Sequence, residues 1–229
     1  MADLDWPTGL MPYKVMFYLQ PHVGGQESPL TRTRKVYGLS APRWLARLSF
    51  RAGHGYDEVG LAEGRVGPQA DDARFFAARL DALIAQLEGG LTLVRFHDFR
   101  RPRPQSHLTL FGQTTVATTA LAGATSIVIN RAQGLIGPSI GDYIGGDDRP
   151  HIVVDVSPRA GSMMSKGGAD GKITLTFKPP LSAPVAAGTA LEVGPITAPF
   201  ELTNSEAGEN EGEVGAPIEY VLDFMERLP

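Results

Sequence analysis

The chain has 229 residues, 42% of them hydrophobic and 20% charged, with 27 Gly, 18 Pro and no Cys. Gly and Pro together approach a fifth of the residues, against roughly 12% in average usage, so many turns and short strands are expected. The absence of cysteine excludes a disulfide framework, a thiol nucleophile and a thiolate zinc site, and a formal net charge of −4 argues against nonspecific duplex binding through a basic surface.

No apolar run nears the ~20 residues that a bilayer span requires, so membrane insertion is not expected. The opening MADLDWPTGLMP carries acids where a secretory signal carries bases, so export by that route is not expected either. The charge is divided along the chain. Residues 1–112 hold 14 Lys+Arg against 11 Asp+Glu, whereas residues 113–229 hold 7 against 14, and eight of those acids fall between 201 and 226.

In chain order, YKVMFYLQ places Val15, Phe17 and Leu19 on one face and Lys14, Met16, Tyr18 and Gln20 on the other, a period of two that predicts a strand. A polar, Gly-rich stretch from Pro21 to Pro29 follows. RWLARLSFR then sets Trp44, Ala46, Leu48 and Phe50 against Arg43, Arg47 and Arg51, the clearest strand in the sequence. Residues 51–70, with five glycines, read as a long exposed loop. Next comes a helix over 72–88: Phe76, Leu80, Leu83, Ile84 and Leu87 form one apolar stripe, Asp71 or Asp72 caps its start, and Gly89 supplies a left-handed end. LTLVRF re-enters a strand, and the basic, proline-interleaved run at Arg100, Arg101 and Arg103 ends that segment.

From about residue 113 small residues, Thr and Gly take over. TSIVIN, HIVVDV and KITLTF alternate between turn clusters, as short antiparallel strands of a small sandwich or barrel do. FEL, an acidic loop over 204–216 and a last strand with Ile218, Tyr220, Leu222 and Phe224 on one face close the sequence. The first 112 residues alone are thin for a closed β structure. The expected organisation is therefore one β domain made of 1–112 with 199–229, carrying the helix 72–88, and an inserted β module at 113–198.

Motifs for chemistry are weak. Gly137-Pro-Ser139-Ile-Gly141 matches G-x-S-x-G, but GDYIGGDDRP after it cannot form the helix that a nucleophile elbow requires. His22, His54, His97, His107 and His151 show no metal-ligand spacing, and adjacent His97 and Asp98 would point to opposite faces of a strand. Asp147-Asp148 reads as a turn pair that caps backbone rather than as acid and base. GGADGK reads as a hairpin turn, because Ile173 stands where a phosphate loop has Ser or Thr. Three arginines without aromatic neighbours make a poor nucleic-acid site. No catalytic, cofactor-binding or metal residue is assigned, and no enzyme activity is expected.

The order of elements resembles a known family. A WP-x-x-L-x-P opening into a strand, SPLTRTRKVYGLSAPRWLARLSF, the helix ARFFAARLDALIAQLEGG, the strand LVRF, then AGATSIVINRAQGLIGPSIGDYI, HIVVDV, GKITLTFKPPL, GTALEVGPITAPFEL and IEYVLDFME together look like a distal tail (tail-tip or baseplate) structural protein of long-tailed bacteriophages. The resemblance implies a mainly β fold: a β-sandwich or barrel with one flanking helix, related to tail-tube proteins, plus the inserted small module. It implies a non-enzymatic ring subunit, of six copies in the family's pattern, around the DNA channel. Its partners would be itself, the tail-tube protein and a hub or fibre-bearing tail-tip protein, with DNA only as cargo through the lumen. The protein would reside in the virion tail after assembly in the host bacterial cytoplasm. Arg43, Arg47 and Arg51 are the candidate subunit interface, facing a neighbour's acidic segment. The alternative is a carbohydrate-binding β module at 113–198, for which Tyr143 and Phe177 are the only aromatic side chains on offer.

Overall fold

A computed structural model describes residues 3–53, 56–57, 70–104, 114–209 and 218–228. The described chain is mainly β. In chain order it holds β1 (Leu4–Asp5), β2 (Lys14–Glu27), β3 (Arg34–Gly53), β4 (Tyr56–Asp57), α1 (Ala70–Leu87), a 3-10 turn (Glu88–Gly90) and β5 (Val94–Phe96). There follow β6 (Thr115–Val116), β7 (Ser126–Asn130), β8 (Ile136–Ser139), β9 (Tyr143–Ile144), β10 (His151–Ser157), β11 (Arg159–Ala160), β12 (Met164–Lys166), β13 (Lys172–Lys178), β14 (Ala198–Leu202) and β15 (Ile218–Glu226).

The chain divides into two compact units: Met1–Tyr18, Trp44–Arg100 and Pro199–Arg227 form the first, and Leu19–Arg43, Arg101–Ala198 and Leu228–Pro229 the second. These limits differ from a division at 113 and 198 chiefly because Leu19–Arg43 groups with the second unit. That segment is also where secondary structure departs from expectation. The stretch from Pro21 reads as loop in sequence, yet β2 continues through Glu27 and β3 starts at Arg34, so the two strands form one long hairpin.

In the first unit the sheet order is β1-β5-β14-β15-β3-β2, with β4 on β3. β15 runs antiparallel to β3, with Tyr220 opposite Phe50 and Phe224 opposite Ala46. The alternating set Trp44, Ala46, Leu48 and Phe50 is buried, as are Tyr220, Leu222 and Phe224. Aromatic rings fill this core: Phe96 stacks on Phe200 at 4.1 Å, and Trp6 meets Phe50, Phe96, Phe99 and Phe224. Trp44 stacks on Phe17 at 5.0 Å. From α1, Phe76, Leu80, Leu83 and Leu87 are buried, and Phe76 lies 6.3 Å from Phe50. The helix ends as its glycines dictate. Gly89 adopts φ +65° and Gly90 φ +105°, and a Cβ on Gly90 would stand 2.4 Å from the Leu202 carbonyl oxygen.

The second unit has a five-stranded sheet, β6-β7-β13-β10-β9, and a three-stranded one, β11-β12-β8. Ile127 and Ile129 are alternate residues of β7, as are Ile173, Leu175 and Phe177 of β13; on β10 a bulge after Val153 brings Val156 to the same face, and all pack into one core with Val116, Leu181 and Val185. The GGADGK turn bridges β12 and β13, which belong to different sheets, so it is not the tip of a paired hairpin. Of the predicted loop 51–70, residues 51–53 and 56–57 are strand and 54–55 and 58–69 lie outside the described residues, as do 210–216 of the loop 204–216.

Candidate functional site

Alternation on β3 puts Arg47 and Arg51 on the exposed face of the sheet, and the antiparallel register sets Asp223 and Glu219 directly opposite them. The Arg47 guanidinium donates to both Asp223 carboxylate oxygens, at 2.6 and 3.0 Å. Arg51 donates from Nε to Glu219 at 3.1 Å and lies 5.3 Å over the Tyr13 ring. Hydrogen bonding to Asp223 raises Arg47 above its ordinary value, and hydrogen bonding to Arg51 lowers the Glu219 carboxyl. The side chains stay accessible, at 54% for Arg47 and 43% for Arg51. Arg43 is exposed in the same alternating series. The candidate interface is thus a strip of cross-strand ion pairs, invisible in sequence because Asp223 and Glu219 lie about 170 residues further on.

A buried polar cluster occupies the second unit. His151 opens β10, and the turn before it carries Asp147 at i−4. His151 Nε2 lies 2.6 Å from Asp147 Oδ1, and Nδ1 donates to the Pro179 carbonyl at 2.8 Å. The other Asp147 oxygen accepts from the Ser182 backbone amide at 2.6 Å and its hydroxyl at 2.8 Å. Neither ionisable side chain is exposed. Burial alone raises the Asp147 carboxyl, but hydrogen bonds from His151 and Ser182 outweigh it and hold it below its usual range. Every polar atom of the trio faces another chain group, with the carboxylate in the middle and the hydroxyl aimed at it. This ties the 179–182 turn to β10. In sequence Asp147 reads with Asp148 as a turn pair and His151 is given no partner, and nothing there points to Ser182.

Most of the remaining candidates are tied to other groups of the fold. Ser139 is buried at the end of β8, its amide donates to Asp142 Oδ2 at 2.8 Å, and Gly141 turns at φ +93°. Among the described residues no histidine reaches its hydroxyl and no group hydrogen-bonds it. Arg100 is held by Asp98 and by the Phe17 carbonyl, while Arg101 donates to the Gly141 carbonyl and lies 5.5 Å over Tyr143. His97 tilts against Phe99, and burial holds its imidazole below the ordinary value against the pull of Asp98. His22 bonds Ser40 across the hairpin. His54 and His107 lie outside the described residues. Among the described residues no group of three His, Asp or Glu side chains could hold a metal ion, and no helix is long and apolar enough to cross a membrane. Tyr143 and Phe177, the aromatics a sugar would need, are 5% and 0% exposed.

The accessible feature that sequence reasoning missed is the hairpin's outer part, the ribbon Leu19–Arg43. Its turn is closed by Ser28 donating to the Thr33 carbonyl and Arg32 donating to the Ser28 carbonyl. Tyr37 lies over Gly24, where a Cβ would stand 2.8 Å from the ring. At the return end Arg149, itself buried, donates to the Pro42 carbonyl at 3.0 Å. Between these anchors Val23, Leu30, Val36, Tyr37 and Leu39 are all more than half exposed. Pro and Gly broke the alternation that would have announced these strands. Neither protein-family models nor curated proteins give a match to the chain.

Proposed function

We propose that the chain is a non-enzymatic structural subunit of a long-tailed bacteriophage tail, forming a ring at the distal tail or baseplate around the DNA channel. It would join the tail tube to the hub or fibre-bearing proteins, with DNA passing only as cargo. The finer fold reading, a sandwich or barrel related to tail-tube proteins, belongs to the same proposal. The observation that carries it is the ribbon Leu19–Arg43: a hairpin with five large apolar side chains more than half exposed suits a protein that is completed by assembly. The strip at Arg43, Arg47 and Arg51 is the second contact face in this reading. There a neighbour would meet ion pairs rather than bare cations, since Asp223 and Glu219 are already engaged.

Negative-stain electron microscopy of the purified chain tests the reading. Rings with an open centre, of six copies by native mass spectrometry, are the expected result. A closed dimer as the sole assembly would overturn it.

A further inference from the structure

Resting on that reading, we propose that the ribbon Leu19–Arg43 is an arm by which one copy of the chain holds a second copy, with Leu30 as its tip anchor. Leu30 sits in the hairpin turn and is 94% exposed, more than any other large apolar side chain among the described residues. Val36, Tyr37 and Leu39 follow it along β3 at 58%, 53% and 55%, and Val23 on β2 is 52% exposed. Apolar area of this kind gains only when covered.

The charge of the arm selects what covers it. Residues 19–43 carry Arg32, Arg34, Lys35 and Arg43 against Glu27, a net +3, while the whole chain carries −4. The remainder of a second copy therefore carries −7, so a basic arm on an acidic body is the complementary pairing. Nucleic acid shares that sign, but five exposed aliphatic and aromatic side chains favour a protein surface that can bury them. An arm of one copy on the body of the next is a heterologous contact. It leaves a free arm at one end of each assembly and a free acceptor at the other, and such contacts close into rings where the rotation permits.

The test is sedimentation velocity and native mass spectrometry of the full chain at low and high salt, beside two variants. Leu30→Asp with Val36→Asp removes the apolar anchor, and Arg32→Glu, Arg34→Glu and Lys35→Glu together reverse the rim. Because these positions are exposed, circular dichroism and thermal midpoint are expected to match the parent. The apolar variant is expected to lose at least tenfold in association at both salt levels. The rim variant should lose most at low salt, where rim charges act most strongly. The apolar variant keeps its acceptor surface, so in excess it should cap parental assemblies and shorten them. Equal assembly of parent and variants would overturn the arm and leave the ring reading standing. A parent that stays monomeric at all concentrations would overturn both. Association that appears only on adding duplex DNA would assign the basic rim to nucleic acid and overturn the arm.

Discussion

Asp147 shows how one residue sets the stability of its surroundings. Its carboxylate serves His151 and both donors of Ser182 in a site without solvent access. Asp147→Ala leaves an imidazole nitrogen and two donors buried without partners, and should destabilise the second unit by about 3 kcal/mol or more, read by urea denaturation. The carboxyl is held below its ordinary value in the folded state, so the unfolded chain binds its proton more readily. The stability it contributes is present above about pH 4 and lost as pH falls through the folded value. Asp147→Asn should flatten that acid limb, and an unchanged slope of thermal midpoint against pH would remove Asp147 from it. Tyr220 gives the opposite limb. Burial first, then the charge and hydrogen bond of Asp81 on α1, push its hydroxyl up to about 12. The stability that this neutral phenol contributes is complete below pH 10 and lost as pH rises through 12. In an ultraviolet titration Tyr220 should ionise late, and in Asp81→Ala it should move earlier.

At the scale of elements, one close contact sets how the helix end meets the sheet, and one ring stack joins β2 to β3. Gly90→Ala combines a positive φ with a Cβ 2.4 Å from a backbone oxygen, so a cost of about 2 kcal/mol or more is expected in chemical denaturation. Trp44 is 3% exposed against Phe17, and Trp44→Ala should cost about 3–5 kcal/mol. With Trp6 replaced by Phe, native emission at the wavelength of a water-exposed indole would contradict this burial. The cross-strand pairs of β3 and β15 predict a pattern rather than a magnitude. Arg47→Glu and Arg51→Glu set like charges opposite Asp223 and Glu219 and should lower the thermal midpoint at low salt. Adding Asp223→Arg and Glu219→Arg should restore it, and no recovery would mean that the pairs do not couple the strands. Wherever apolar residues repeated with a clear period, elements were legible in sequence: β3 from Trp44 to Phe50, β7, β10, β13, β15 and the stripe of α1. The ribbon was not, because Pro21, Gly24 and Gly25 hide the alternation and its strands are exposed on both sides. The polar cluster was not legible, because Asp147 reads with Asp148 as a turn pair while its meeting with His151 and Ser182 is a tertiary event.

For the whole molecule, the chain passes between its two units five times, and neither unit is a continuous segment. The sheet of the first unit makes this concrete: β15 is last in chain order, yet it stands between β14 and β3. The strands of the second unit's two sheets, β6 to β13, all lie between Thr115 and Lys178. A ribosome making this protein therefore completes those strands while the first unit still lacks an inner strand. Until residue 226 has emerged, β3 and β14 present unpaired backbone to solvent, a template that other chains can join. Synthesis thus has a vulnerable interval. Nascent chains stalled at residue 200 should be captured by chaperones through β3, and chains carrying residues 1–229 ahead of an added linker long enough to clear the ribosome should escape them.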